Sequence, residues 1–274
     1  MKKNNIKGYP QIPDLKEVDL RPVFPNMVTM ANLAAGLSSM QFAFWGNWSM
    51  AVICIAMAAI FDALDGRVAR MFNVSSKFGA ELDSLSDLVS FGVAPGFVLY
   101  RWTMEQGAIV LGQKDPVAIG VPWAIALFLA MCCALRLARF NTMLEDDTIP
   151  PYWSHYFTGV PAPAAAAMVM MPILVTFDFK DLEPLLRTHI FCGIWMILVA
   201  YLETSRIPTI SLKKTKIKPE QMVPLAFVVA LLATFLFTQT WLTFGILTII
   251  YALTIPYSVY KFTKEKQAYE QSNA

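Results

Sequence analysis

The chain has 274 residues, 56% of them hydrophobic and 15% charged, with a formal net charge of +2. A soluble domain carries about 25% charged residues, so water is excluded as the only solvent, and the small net charge gives no case for nucleic-acid binding. Cys54, Cys132, Cys133 and Cys192 all lie in apolar stretches without a pairing pattern, which excludes a disulfide framework.

Residues 1–26 mix Lys2, Lys3, Lys7, Lys16 and Arg21 with acids and with Pro10, Pro13, Pro22 and Pro25. No compact apolar run with a small-residue cleavage site follows, so this stretch reads as a retained cytosolic or interfacial segment. A helix crossing a bilayer core needs about 20 predominantly apolar residues. Eight such helices are predicted, at about 27–45, 48–72, 78–101, 118–140, 159–177, 188–204, 221–238 and 241–260. The expected fold is all-α: one polytopic membrane bundle over 27–262, with a cytosolic tail over 263–274.

Starting from a cytosolic N-terminus, eight crossings leave only Arg101, Lys114, Lys180 and Arg187 of the basic residues outside. The 206–218 loop (Arg206, Lys213, Lys214, Lys216, Lys218) and the tail (Lys261, Lys264, Lys266) dominate the cytosolic side. Trp45, Trp48, Trp102, Trp123 and Trp241 fall at the outer interface. Both patterns predict a protein of the cytoplasmic (inner) membrane with its N-terminus inside.

The second and third segments conflict with pure hydropathy, because they carry acids, and intramembrane charge marks function. Asp62, Asp65, Gly66 and Ala69 fall within about 100° of arc on one helix. After a break at Asn73–Ser76, Gly79, Asp83 and Asp87 line one face of the next helix at i, i+4 and i+8. So short a connection predicts antiparallel neighbours. Counted from the turn, Asp65 and Asp83 lie at similar depth, and Asp62 and Asp87 about 5 Å deeper, at about 1.5 Å per residue. Four carboxylates therefore converge in a pocket facing the cytosol.

Their repulsion requires compensation: by Arg67 and Arg70, by protonation, or by a divalent cation. Oxygen-only ligands favour Mg²⁺, Mn²⁺ or Ca²⁺; His155 and His189 are remote in sequence, which disfavours zinc. Gly66, Ala69 and Gly79 leave room among the acids for a bulky ligand. Two cations about 4 Å apart clamp a pyrophosphate and stabilise in-line displacement at phosphorus, with a nearby base taking the proton of an attacking alcohol.

The array Asp62-x2-Asp65-Gly66-x2-Ala69-Arg70-x8-Gly79-x3-Asp83-x3-Asp87 is identified with the signature of the CDP-alcohol phosphatidyltransferase family. The resemblance implies a six-helix catalytic core, a homodimer, and two metal ions served by Asp62, Asp65, Asp83 and Asp87. It implies Asp83 and Asp87 as catalytic residues, Asp87 being the general base. It also implies a CDP pocket lined by Asn26, Thr29, Asp62, Gly66, Ala69, Arg70, Ser76 and Gly79.

Three further stretches are similar to bacterial and archaeal phosphatidylserine synthases. The first is Pro25-Asn26-x2-Thr29-x2-Asn32-Leu33-x2-Gly36, and the second runs from Glu81 to Pro95. The third is Ala134 to Asn141, followed by Phe157-x-Gly159-x-Pro161-x-Pro163. This similarity covers about residues 24–165 and implies CDP-diacylglycerol as donor, L-serine as acceptor and membrane lipids as surroundings.

Arg136 and Arg139 read either as snorkelling anchors or, with Asn141, as acceptor or phosphate contacts, since a guanidinium fork suits a carboxylate. Ser75 or Ser76 reads as an N-cap or, with Lys77, as a contact to CDP. Glu145, Asp146 and Asp147 read as solvated surface, and Pro161 and Pro163 as a helix start. Three other classes explain less. A cation or proton-coupled transporter accounts for the acids but not for the intervals of Gly66, Ala69, Arg70 and Gly79. A non-catalytic scaffold leaves the aspartates idle, and an aromatic-acceptor prenyl transferase carries two separate acidic motifs. Glycerol 3-phosphate, inositol, inositol phosphate and choline stand as alternative acceptors, and Ca²⁺ as a non-productive substitute cation.

Overall fold

The computed structural model describes residues 23–71, 76–111, 116–144, 156–210 and 221–272. The basic N-terminal segment up to residue 22, Asn73, Ser75, Lys114, the acidic run 145–147, His155 and Lys213–Lys218 lie outside the described residues.

Helical structure covers each of the eight expected stretches, the third of them as two helices joined by a π-helical turn. Helix α1 (Val23–Phe44) is followed by α2 (Trp48–Met71) and α3 (Lys77–Asp87), and α3 passes through a π-helical turn (Leu88–Val93) into α4 (Ala94–Leu111). Next come α5 (Pro116–Leu144), α6 (Ala162–Asp178), a short α7 (Glu183–Leu186), α8 (His189–Thr204), α9 (Met222–Thr238) and α10 (Thr240–Ser272). Among the described residues four helices are long and apolar enough to cross a membrane, or five if α7 and α8, bent by 79°, make one span; α6 and α9 are shorter apolar helices. The chain is an all-α membrane bundle. Two features are additional to the sequence expectation. α10 continues as helix through most of the expected tail, and a two-stranded sheet joins β1 (Tyr156–Thr158) to β2 (Pro208–Ile210), antiparallel with Phe157 opposite Thr209.

Local chemistry explains the breaks. Between α1 and α2 the chain turns at Gly46, whose φ of 72° favours glycine, and Asn47 Oδ1 accepts from Met50 N at 3.2 Å to start α2. Ser76 caps α3 by accepting from Gly79 N at 2.9 Å. Pro161 stands at the N-cap of α6 with Pro163 inside its first turn, and Thr188 caps α8.

The tightest packing is α1 along α2. On α1 the buried positions are Pro25, Thr29, Asn32, Gly36, Ser39 and Ala43, alternating in steps of four and three, and on α2 they include Ala51, Ile55, Ala58 and Asp65. This is the seam of a left-handed helix pair. Its small residues matter because lipid offers no hydrophobic drive between helices, so close van der Waals approach must supply the attraction. Gly36 serves a different contact of α1, with the π-helical turn: a Cβ there would overlap Ser90, including its backbone Cα at 2.7 Å.

α1 also packs against α3, whereas α2 and α3 hardly approach one another. The expectation of directly packed neighbours is corrected here. α1 packs against both acidic helices, and a cleft remains where their backbones would otherwise touch.

Candidate active site

The cleft holds about 180 Å³. Pro25, Asn26 and Thr29 of α1 line it, with Asp65, Gly66 and Ala69 of α2 on one side and Ser76, Gly79, Ala80 and Asp83 about α3 on the other. Nothing lies within 4 Å of where a Gly66 side chain would start, so this wall is open to a ligand. At Gly79 a Cβ would stand 3.1 Å from Ser76 Oγ and 3.3 Å from Asn26 Oδ1, so the missing side chain keeps the rim narrow.

Asp83 belongs both to the cleft and to a carboxylate cluster beside it, where oxygens of Asp62, Asp83 and Asp87 lie within 4.8 Å of one another; Asp62, expected in the CDP pocket, and Asp87 are not among the lining residues. Asp65 stands beside Asp83, within hydrogen-bond reach, and Asp87 faces the like charges of Asp62 and Asp83. The cluster is held from α1. Thr29 Oγ1 donates to Asp65 Oδ2 at 2.9 Å, and Asn32 Nδ2 donates to Asp87 Oδ1 at 3.0 Å. α3 is latched back to α1 by Ser86 Oγ on Thr29 O and Ser90 Oγ on Asn32 O, both at 3.1 Å. The π-helical turn begins directly after Asp87 and buries Ser90, Phe91 and Gly92. Such turns widen a helix by one residue and recur at functional sites.

The remaining sequence-selected residues divide. Asn26, Thr29, Gly66, Ala69, Ser76 and Gly79 line the cleft, whereas Arg70 is exposed near the end of α2 and is not among the lining residues. Arg139 Nη1 donates to Thr204 O at 2.7 Å, so its guanidinium ties α5 to the end of α8. Asn141 Nδ2 donates to Ser84 Oγ at 2.9 Å and so braces α3. Arg136 is half-buried, and its Nε has no partner.

Sequence reasoning quoted Asn32 within a motif but missed that it grips Asp87. It missed Glu203 altogether, which is fully buried on α8. An acid inside an apolar helix was the available signal.

The donor set fits a hard divalent cation. It is all oxygen, and Asp83 Oδ1 is buried with no hydrogen-bond partner, as an acceptor awaiting a cation would be. Acids gathered beside a cleft walled by small residues have the chemistry to hold a divalent cation, which in turn would attract an anionic ligand.

A family model for CDP-alcohol phosphatidyltransferases matches residues 22–202, and the chain belongs to that family. Its members are membrane transferases that depend on a divalent metal. The chain is 34% identical over 237 residues to the CDP-diacylglycerol–serine O-phosphatidyltransferase of Mycobacterium tuberculosis, covering 86% of this chain and 78% of that one. It is 33% identical to the enzyme of the same name from Helicobacter pylori, covering 84% and 92% of the two chains. With that of Bacillus subtilis it shares 32% identity over 64% of this chain and 86% of the relative.

Proposed function

We propose that this protein transfers the phosphatidyl group of CDP-diacylglycerol to the hydroxyl of L-serine, giving phosphatidylserine and CMP. The carrying observation is the meeting of Asp62, Asp83 and Asp87 within 4.8 Å beside a small-walled cleft that Asp83 also lines, in a chain of this family. Relatives bearing the serine reaction in their names support the acceptor.

In this reading Asp62, Asp65, Asp83 and Asp87 hold Mg²⁺ or Mn²⁺, as two ions, and Ca²⁺ occupies the same oxygens without productive turnover. Bound there, the cations neutralise the pyrophosphate and the charge that develops on it. Asn26, Thr29, Gly66, Ala69, Ser76 and Gly79 seat the CDP moiety, and Arg70 closes over it from the end of α2. Asp87 is the base: Asn32 pins Oδ1 and so turns Oδ2 toward the acceptor. The serine hydroxyl gives its proton to Asp87 as its oxygen bonds to the phosphorus bearing diacylglycerol. The bond from that phosphorus to the bridging oxygen breaks, and CMP leaves with the electron pair. Arg136 serves the acceptor, while Arg139 and Asn141 steady the helix ends around it.

The bundle in this reading crosses the inner membrane eight times, with its N-terminus and cleft on the cytosolic side, where the Lys and Arg bias puts them. It works as a homodimer. The test is CMP release from CDP-diacylglycerol by purified protein, with and without Mn²⁺ and with a panel of alcohols. Release should require both the metal and L-serine. Release that ignores the metal overturns the site, and a preference for glycerol 3-phosphate, inositol, inositol phosphate or choline overturns the acceptor.

A further inference from the structure

Beyond the aspartate cluster, one carboxylate is sealed inside the bundle. Glu203, near the end of α8, is 0% exposed, and no oxygen or nitrogen donor reaches its carboxylate, which faces only the weakly donating thiol of Cys133 among the described residues. A buried, unpaired carboxylate is among the costliest groups a fold can keep. The opposite charge is near but not joined to it. Arg136 of α5 acts on Glu203 electrostatically, its own Nε is buried and unpartnered, and no ion pair links the two among the described residues.

Cys133 of α5 connects this pair to the neighbourhood of the proposed base. The Cys133 thiol faces Glu203 and feels the charges of Arg136 and Asp87. Gly92, in the turn that begins after Asp87, lies so close that a Cβ there would stand 2.8 Å from Cys133 Cβ. Glu203 is also fixed from outside. Gly159 has a φ of 77°, and a side chain at Gly159 would collide with Glu203 O, while Gly159 N donates to Ile207 O at 2.8 Å. The strap leading into α6 thus clamps the end of α8 against α5.

An acid and a base held apart, each with unpaired buried atoms, complement a small molecule that carries both charges in the reverse order. We infer that Arg136 and Glu203 are the two poles of an amino-acid acceptor subsite beside Asp87. The guanidinium takes the α-carboxylate, the Glu203 carboxylate takes the α-ammonium, and the hydroxyl is left toward Asp87. Half-buried Arg136 is the wall that moves to admit the ligand. Glu203 would at the same time repel acceptors carrying only phosphate. This inference rests on the serine reading and adds a specificity-determining residue to it.

Two measurements test it. In wild-type protein, CMP release is titrated with L-serine, with ethanolamine, which lacks the carboxylate, and with 3-hydroxypropionate, which lacks the ammonium. Each analogue should show a KM at least tenfold above that of serine; an analogue matching serine overturns the subsite. In the second, Glu203→Gln should raise the serine KM tenfold or more and erase the preference over 3-hydroxypropionate. It should leave the KM for CDP-diacylglycerol and the affinity for CDP with Mn²⁺ unchanged, and Glu203→Asp should restore part of the serine affinity. A folded Glu203→Gln protein that still binds CDP with Mn²⁺ and keeps the serine KM within twofold overturns the inference alone. Wild-type turnover with another alcohol and none with serine overturns the serine reading, and the subsite with it.

Discussion

The first two helices and the last two are both largely apolar, yet they are built on different terms. On α1 a buried residue recurs every three or four positions, and several of those residues are polar and engaged across the helix: Thr29 with Asp65, Asn32 with Asp87. On α9 no residue is buried, and its main packing partner is α10. Val223, Phe227 and Phe237 are all largely exposed there. In water that would be a fault; in lipid such a helix is already solvated. Hydrophobicity therefore says which helices enter the membrane, and small residues with polar links say which of them hold a fixed geometry. Catalysis needs the second kind, and the family match, which ends at residue 202, leaves out α9 and α10.

Four predictions would break or sharpen that contrast. The largest effect belongs to the acids. Asp87→Asn should lower CMP release by about a thousandfold or more, in the range for losing a base together with electrostatic stabilisation. Chelating divalent cations should abolish release in the wild type, and re-adding Mn²⁺ should restore it. Initial-rate assays decide this, and substantial turnover in Asp87→Asn would remove the base assignment.

Next comes the support from α1. Asn32→Ala frees Asp87 from its only neutral anchor seen here, and should cost about tenfold to a hundredfold in kcat, as for lost groups behind metal ligands. The KM for CDP-diacylglycerol should hardly change. A proportionate rise in that KM would mean Asn32 shapes the nucleotide pocket instead.

Gly36→Ala tests packing rather than chemistry. Its new Cβ meets Ser90 backbone, so the protein should lose about 1–3 kcal/mol, as overpacked sites do. Thermal unfolding in detergent reads this, and an unshifted midpoint would show that the contact between α1 and the π-helical turn is looser than described. The smallest effect is expected on α9. Val229→Ala, at a position 57% exposed, should change stability by no more than about 0.5 kcal/mol and leave CMP release intact. A large loss there would mean that a second protein surface covers α9.

The acidic site was legible because its intervals are helical. Asp62 and Asp65 share one face, and Asp83 and Asp87 another, and any pair of helices joined by a short turn brings such faces to similar depth. Ser76 as a cap and Pro161 as a helix start were equally legible, since each acts within one turn of chain. Asn32 and Glu203 were not. Each gains its role from a partner more than fifty residues away in sequence, Asp87 for one and Arg136 for the other, and no local pattern records that distance. Arg139 and Asn141 illustrate the same limit. Their side chains reach Thr204 and Ser84, ties that only the assembled bundle reveals.

The amino-acid sequence alone determined that this chain is a helical membrane protein, where its helices lie, and that four acids stand at helical intervals on the two helices flanking one short turn. Those properties follow from local hydropathy and from a period of 3.6 residues, which are written into consecutive positions. Tertiary structure decided that α1 packs against both acidic helices, so that a cleft stays open between them, and that a buried glutamate comes to lie near an arginine from another helix. Lipid exerts no general pull between apolar helices, so these arrangements depend on close fit and a few polar contacts between distant parts of the chain.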